Sequence, residues 1–115
     1  MAYRIVRSPA IERDIDIVFD HVFESYLTIG DSVPEAFERA TQRIAALWSD
    51  MNSLALAPHQ GTLHADLSSR LRHVTKNRAI FYFDVDDTAK TVRILAVFFG
   101  GQDHQRRMLQ RLGSD

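Results

Sequence analysis

The stretch from Arg78 to Gly101, RAIFYFDVDDTAKTVRILAVFFGG, constrains the fold more than any other part of the chain. From Arg78 to Val85 most residues are β-branched or aromatic, and Thr91 to Phe99 is again rich in Val, Ile, Leu and Phe, the types that half-buried pleated surfaces select. Between them, Asp84 to Lys90 contains Asp86, Asp87 and Thr88, whose side chains hydrogen-bond their own backbone in turns. The segment predicts a β-hairpin at the centre of a small sheet. The remaining residues must then cover or flank it.

Upstream, Tyr3 to Arg7 alternates and is short enough for one strand, ended by Ser8-Pro9, a helix-start pair with Ser as N-cap and Pro at the first helical position. Ile11, Ile15, Val18, Phe19, Val22 and Tyr26 then recur at spacings of three and four, with Glu12, Asp14, Asp16, Asp20 and Glu24 assigned to an acidic outer face. Gly30 can stop this helix, and Ser32-Val33-Pro34-Glu35 has the spacing of a capping box for a second, antiparallel one. Its predicted core stripe is Phe37, Ala40, Ile44, Leu47, Trp48 and Met51. Pro58 and Gly61 predict an irregular loop after Met51. Leu71 to Thr75 reads as a strand, Lys76-Asn77 as a turn, and Gly100-Gly101 as the end of the last strand. Asp103 is placed to cap a final helix to Leu112. The predicted class is α+β, a helical hairpin packed on a small, mainly antiparallel sheet in the order β-α-α-β-β-β-α, with one sheet face left open.

At 115 residues, with 45% hydrophobic and 25% charged, the chain fits a single domain over 1–115. No apolar run reaches the roughly 20 residues that cross a bilayer, and the first residues lack the apolar core of a signal peptide, so a cytoplasmic location with no membrane partner is expected. Without cysteine, disulfides and thiolate metal sites are excluded. The net charge of −1 divides unevenly: residues 1–69 carry five Arg/Lys against ten Asp/Glu, and 70–115 carry nine against five. The near-neutral total argues against a dedicated, electrostatically driven nucleic-acid binder.

Several pieces in order carry a resemblance: the opening strand followed by SPAIERDI, Leu47-Trp48 late in the second helix, the loop Ala57-Pro58-His59-Gln60-Gly61, Leu71-Arg72 entering the sheet, Ile80-Phe81-Tyr82, and Val92 to Val97 followed by Gly100-Gly101-Gln102-Asp103. Together they resemble the RelE/ParE superfamily of toxins from type II toxin–antitoxin modules, and its ParE side more closely. The resemblance implies a growth-inhibiting toxin neutralised by a cognate antitoxin. Members of the ParE branch inhibit DNA gyrase, whereas RelE-type members cleave messenger RNA on the ribosome. A non-toxic interaction module of the same fold is a third alternative. A homodimer and a toxin–antitoxin hetero-oligomer both stay open.

For a metal-independent ribonuclease, the candidates are Arg72, Lys76, Arg78 and Arg93, with Tyr82 or His104 for proton transfer. ParE-like chains often carry His just before the Gly pair, and Phe99 stands there instead, which favours a toxin acting by binding. For that reading, Arg93, Arg106, Arg107 and Arg111 are the cations expected to meet the target. Strand alternation places Arg93, Leu95, Val97 and Phe99 on one face, and Arg78, Ile80, Tyr82 and Asp84 on one face of the neighbouring strand. His59, His64 and Asp66 lack metal-site spacing, and His21 and His73 read as ordinary surface or sheet residues. No cofactor and no metal are expected.

Overall fold

The computed structural model describes residues 2–100 and 103–113. The elements are β1 (Arg4–Arg7), α1 (Ile11–Thr28), α2 (Val33–Ser53), β2 (Thr62–Leu63), β3 (Leu71–Lys76), β4 (Ala79–Asp86), β5 (Thr91–Phe99) and α3 (His104–Gly113). They build one five-stranded sheet in the order β1-β5-β4-β3-β2. β1 lies parallel to β5 with Arg4 opposite Thr91, and every other neighbouring pair is antiparallel. The α+β class and the helical hairpin on a mainly antiparallel sheet are therefore as expected, with β2 added.

Local chemistry explains most boundaries. α1 ends in a Schellman arrangement: the Gly30 N–H donates to Leu27 O, the Asp31 N–H donates to Tyr26 O, and Gly30 takes φ 111°. α2 opens with the complete capping box, Ser32 Oγ accepting from the Glu35 N–H while Glu35 Oε1 accepts from the Ser32 N–H. α1 begins two residues later than Pro9 suggests, at Ile11, because Ser8 Oγ accepts from Ala10 N and holds Pro9 and Ala10 in a turn. The β3–β4 turn is Asn77-Arg78, both at positive φ, not Lys76-Asn77, so Arg78 sits outside the strand it was expected to open. β2 forms despite Pro58 and Gly61 because Gly61, at φ 82°, brings the chain tightly against His73 O. Asp103 has φ 58° and its carbonyl accepts from the Arg107 N–H. Gly101 and Gln102 lie outside the described residues.

The helical hairpin covers one sheet face. Ile15, Val18 and Val22 from α1 and Leu47 and Met51 from α2 pack on Phe81, Phe83, Ile94 and Val97. Phe37 is not on that face: it is 57% exposed and meets Phe19 edge-on, while Ala36 takes the buried position. The opposite face is not open. α3 lies there, with Met108 buried among Leu71, Ile80, Tyr82, Ala96 and Phe98.

Two details overturn expected placements, one in β5 and one in α1. A bulge between Tyr82 and Phe83 pairs Tyr82 with Ala96 but Phe83 with Ile94, leaving Leu95 as the extra residue. Arg93 consequently shares a face with Ala96 and Phe98, and Val97 and Phe99 turn to the helical-hairpin side. Asp14 is 3% exposed, not on an outer acidic face. Beyond Arg7 the β5 edge loses its β1 partner, and Asp14 Oδ2 accepts from the Val97 N–H at 2.9 Å. Arg111 donates to both Asp14 oxygens at 2.7 and 2.8 Å and to Leu95 O at 3.4 Å. One ion pair thus ties α1, the end of β5 and α3 together.

Candidate functional site

The pairing of β3 with β4 sets His73 directly opposite Tyr82, on the face under α3. β2 and the turn after it add His64, whose Nε2 lies 2.5 Å from His73 Nδ1. The first residue of α3 adds His104, whose Nδ1 is 2.8 Å from Tyr82 Oη. The rings pack into one cluster: His73 is 5.1 Å from His104, 5.3 Å from Tyr82 and 4.7 Å from His64 between centroids. Phe98 closes the floor edge-on to Tyr82.

Burial governs the protonation of this cluster. His73 is held below the usual histidine range by desolvation first and then by repulsion from His64 and His104. His104 is lowered by desolvation and by His64. Desolvation raises the Tyr82 hydroxyl. At neutral pH His73 and His104 are therefore neutral imidazoles beside a protonated phenol. A phenol O–H donating to His104 Nδ1 places that ring's own proton on Nε2. The His64–His73 contact requires one proton between two facing nitrogens. Such an arrangement can accept and relay protons. Among the described residues no group of three His, Asp or Glu side chains has metal-holding geometry.

Of the six residues assigned to ribonuclease chemistry, the structure brings together only Tyr82 and His104, and Lys76 lies at the end of β3 opposite Ala79. Arg72 pairs with Phe83 on the helical-hairpin face, and its Nη1 donates to His59 O at 2.9 Å. Arg78 lies in the β3–β4 turn over Phe99. Arg93 stands on the Tyr82 face but at the far end of the strand, donating to Asp84 Oδ2 at 3.0 Å. The expected target-binding cations also diverge. Arg106 is exposed and pairs with Asp103, Arg107 lies over Phe98, and Arg111 is committed to Asp14.

His64 and His73 were missed as members of a site. The available signal was the alternation of Leu71, His73 and Thr75 on one face, but only the register puts His73 against Tyr82. The acidic turn proves structural: Asp87 Oδ1 accepts from Tyr3 Oη at 2.7 Å and contacts His59 Nε2 at 2.8 Å, while Asp86 Oδ1 accepts from the Ala89 N–H.

Beside the cluster runs a groove of about 540 Å³ between α1, the unpaired end of β5 and α3. Ile17, Phe98 and Phe99 supply apolar lining, and Arg107 and Arg111 a cationic side. No helix among the described residues is long and apolar enough to cross a membrane.

No family model matches the sequence, and no curated protein sequence does. Among solved structures, the chain is similar to a chain of the chromosomal ParDE TA system from P. aeruginosa, with a TM-score of 0.62 at 17% identity, over 85% of this chain and 96% of that one. At this identity the likeness is one of fold. The helical hairpin on a five-stranded mixed sheet is a ParE-like fold.

Proposed function

We propose that the chain is the toxin of a type II toxin–antitoxin module, that it stops growth by binding DNA gyrase, and that a cognate antitoxin neutralises it in the cytoplasm. The observation that carries this reading is the architecture shared with a ParDE chain over 96% of that chain's length. The scatter of Arg72, Arg78 and Arg93 over two faces and a turn supports action by binding, since phosphate-stabilising chemistry needs its cations around one centre. A near-neutral chain also suits a protein target, where local complementarity matters more than net charge. The groove between α1 and α3 is of a size to take an antitoxin segment.

The test is supercoiling by purified gyrase, together with growth after induction. Inhibition by the folded chain, relieved by the product of the adjacent reading frame, is expected. Full supercoiling at micromolar toxin removes gyrase as the target.

A second reading, ribosome-dependent cleavage of messenger RNA, is favoured by one observation: the neutral His73 and His104 beside the Tyr82 hydroxyl. Primer extension after induction distinguishes it, since intact transcripts during growth arrest exclude cleavage.

A further inference from the structure

On the helical-hairpin side, away from the histidine cluster, two guanidinium groups share one aromatic ring. Arg43 from α2 stands 5.5 Å from the Phe99 centroid and Arg78 from the β3–β4 turn stands 5.8 Å from it. His21 from α1 packs against the same ring at 5.7 Å. Together with Ser25 and Tyr26 these residues line a pocket of about 100 Å³. Among the described residues neither arginine has an ion-pair partner. Arg43 Nη2 donates only to the Asn77 carbonyl, at 3.3 Å. Asp50, the acidic residue of the adjoining small pocket, accepts from Asn77 Nδ2 at 2.7 Å and pairs with neither. Two cations held around one cavity without a carboxylate repel each other unless an anion joins them.

The backbone at Arg78 points the same way. Asn77 and Arg78 have φ 51° and 70°, the positive pair of a tight two-residue hairpin turn. Asn-Gly is the favoured sequence for that turn, because a side chain at the second position is strained. The chain carries Arg where Gly would relax the turn, and what it gains is a guanidinium over Phe99. The Gly100 N–H donating to Arg78 O at 3.1 Å fixes the turn against the end of β5.

We infer that Arg43, Arg78 and His21 form an anion site for a single phosphate group. A pocket of about 100 Å³ has the room of roughly three waters, enough for a tetrahedral oxyanion. A dianion balances both guanidinium groups, whereas a carboxylate balances one, and guanidinium forks match phosphate oxygens in geometry. The phosphate is either a free ion or the terminal group of a nucleic acid strand. The site does not depend on the toxin reading.

Calorimetric titration of the folded chain uses inorganic phosphate, a 5′-phosphorylated dinucleotide and its 5′-hydroxyl counterpart, with acetate as competitor. Saturable one-to-one binding of a phosphate probe is expected, with no binding of the 5′-hydroxyl form. Arg78→Gly and Arg43→Gln should each weaken it about tenfold or more, as loss of a charge-assisted hydrogen bond does. Arg78→Gly also separates the site from folding, since it should melt no lower than the parent while losing the anion. Tighter binding of the phosphorylated dinucleotide assigns the site to a strand terminus, and tighter binding of inorganic phosphate to the free ion. No saturable binding of either phosphate probe, undiminished binding by Arg78→Gly, or equal competition by acetate overturns the inference.

Discussion

Replacing Asp14 with Ala tests whether the ion pair with Arg111 holds the sheet between its two helical layers. The substitution removes both acceptors of the Arg111 fork and the acceptor of the Val97 N–H. Removing one partner of a buried pair costs about 3–5 kcal/mol. The Arg111 side chain is 33% exposed and can regain water, so the lower end applies here. A loss of about 3 kcal/mol follows, already including the orphaned N–H at about 1–3 kcal/mol. For a domain of this size that is a fall of roughly 12 °C in Tm, at about 4 °C per kcal/mol. Arg111→Ala should cost more, about 4 kcal/mol, because the carboxylate it strands is 3% exposed and is left with one N–H. Urea unfolding followed by Trp48 fluorescence and far-ultraviolet dichroism measures both, and the Asp14→Ala/Arg111→Ala double variant closes the cycle. The double variant should lose less than the sum of the singles, by about 1.5 kcal/mol or more. A cost for Asp14→Ala under about 1 kcal/mol, or strict additivity, refutes the clamp.

Acid should weaken the fold in two steps. His73 and His104 are lowered, so as pH falls through about 6.5 the unfolded chain takes up protons first; their stability is present above that value and lost below it. Glu35, Asp86 and Asp87 are also lowered and act in a separate window below about pH 4.5. The urea midpoint should drop from about pH 7.5 to 5.5, and less so in His73→Gln; an equal drop there removes the histidine explanation. Gly61→Ala places a Cβ 2.2 Å from His73 O at φ 82° and should cost about 2–4 kcal/mol, whereas Gly30→Ala meets nothing within 4 Å and should cost only about 1–2 kcal/mol; similar melting points for the two contradict this. Tyr82→Phe should leave growth arrest intact if the chain acts by binding and abolish it if Tyr82 transfers a proton, read by colony counts after induction.

The readable parts of the sequence were those whose cause is local. The capping box at Ser32 and Glu35, the Gly30 stop and the apolar strands of the hairpin each follow from neighbours a few residues apart. Asp14 shows where residue type misled: it falls between Ile11, Ile15 and Val18 on the buried stripe, yet its charge assigned it to the outside. Its partner lies 97 residues away, and no local pattern announces it. The bulge at Leu95 is similarly silent, because one extra residue leaves the composition of a strand unchanged while turning Val97 and Phe99 to the other face. For the same reason the histidine cluster needed the register of three strands and the docking of α3 before His64, His73, Tyr82 and His104 could be seen together.

The parallel pairing of β1 with β5 also fixes the order in which the molecule can assemble. The α1–α2 hairpin and the β3–β4–β5 meander join near neighbours in sequence, whereas Arg4 meets Thr91 only across 87 intervening steps of chain. During synthesis at about 5–20 residues per second, β1 therefore waits roughly 4–17 seconds for its partner to be made. Closing this long loop should be a late event, so weakening β1, as in Ile5→Ala, is expected to speed unfolding and leave the refolding rate nearly unchanged. A nascent chain would then carry α1, α2 and most of its sheet while its first strand is still unpaired.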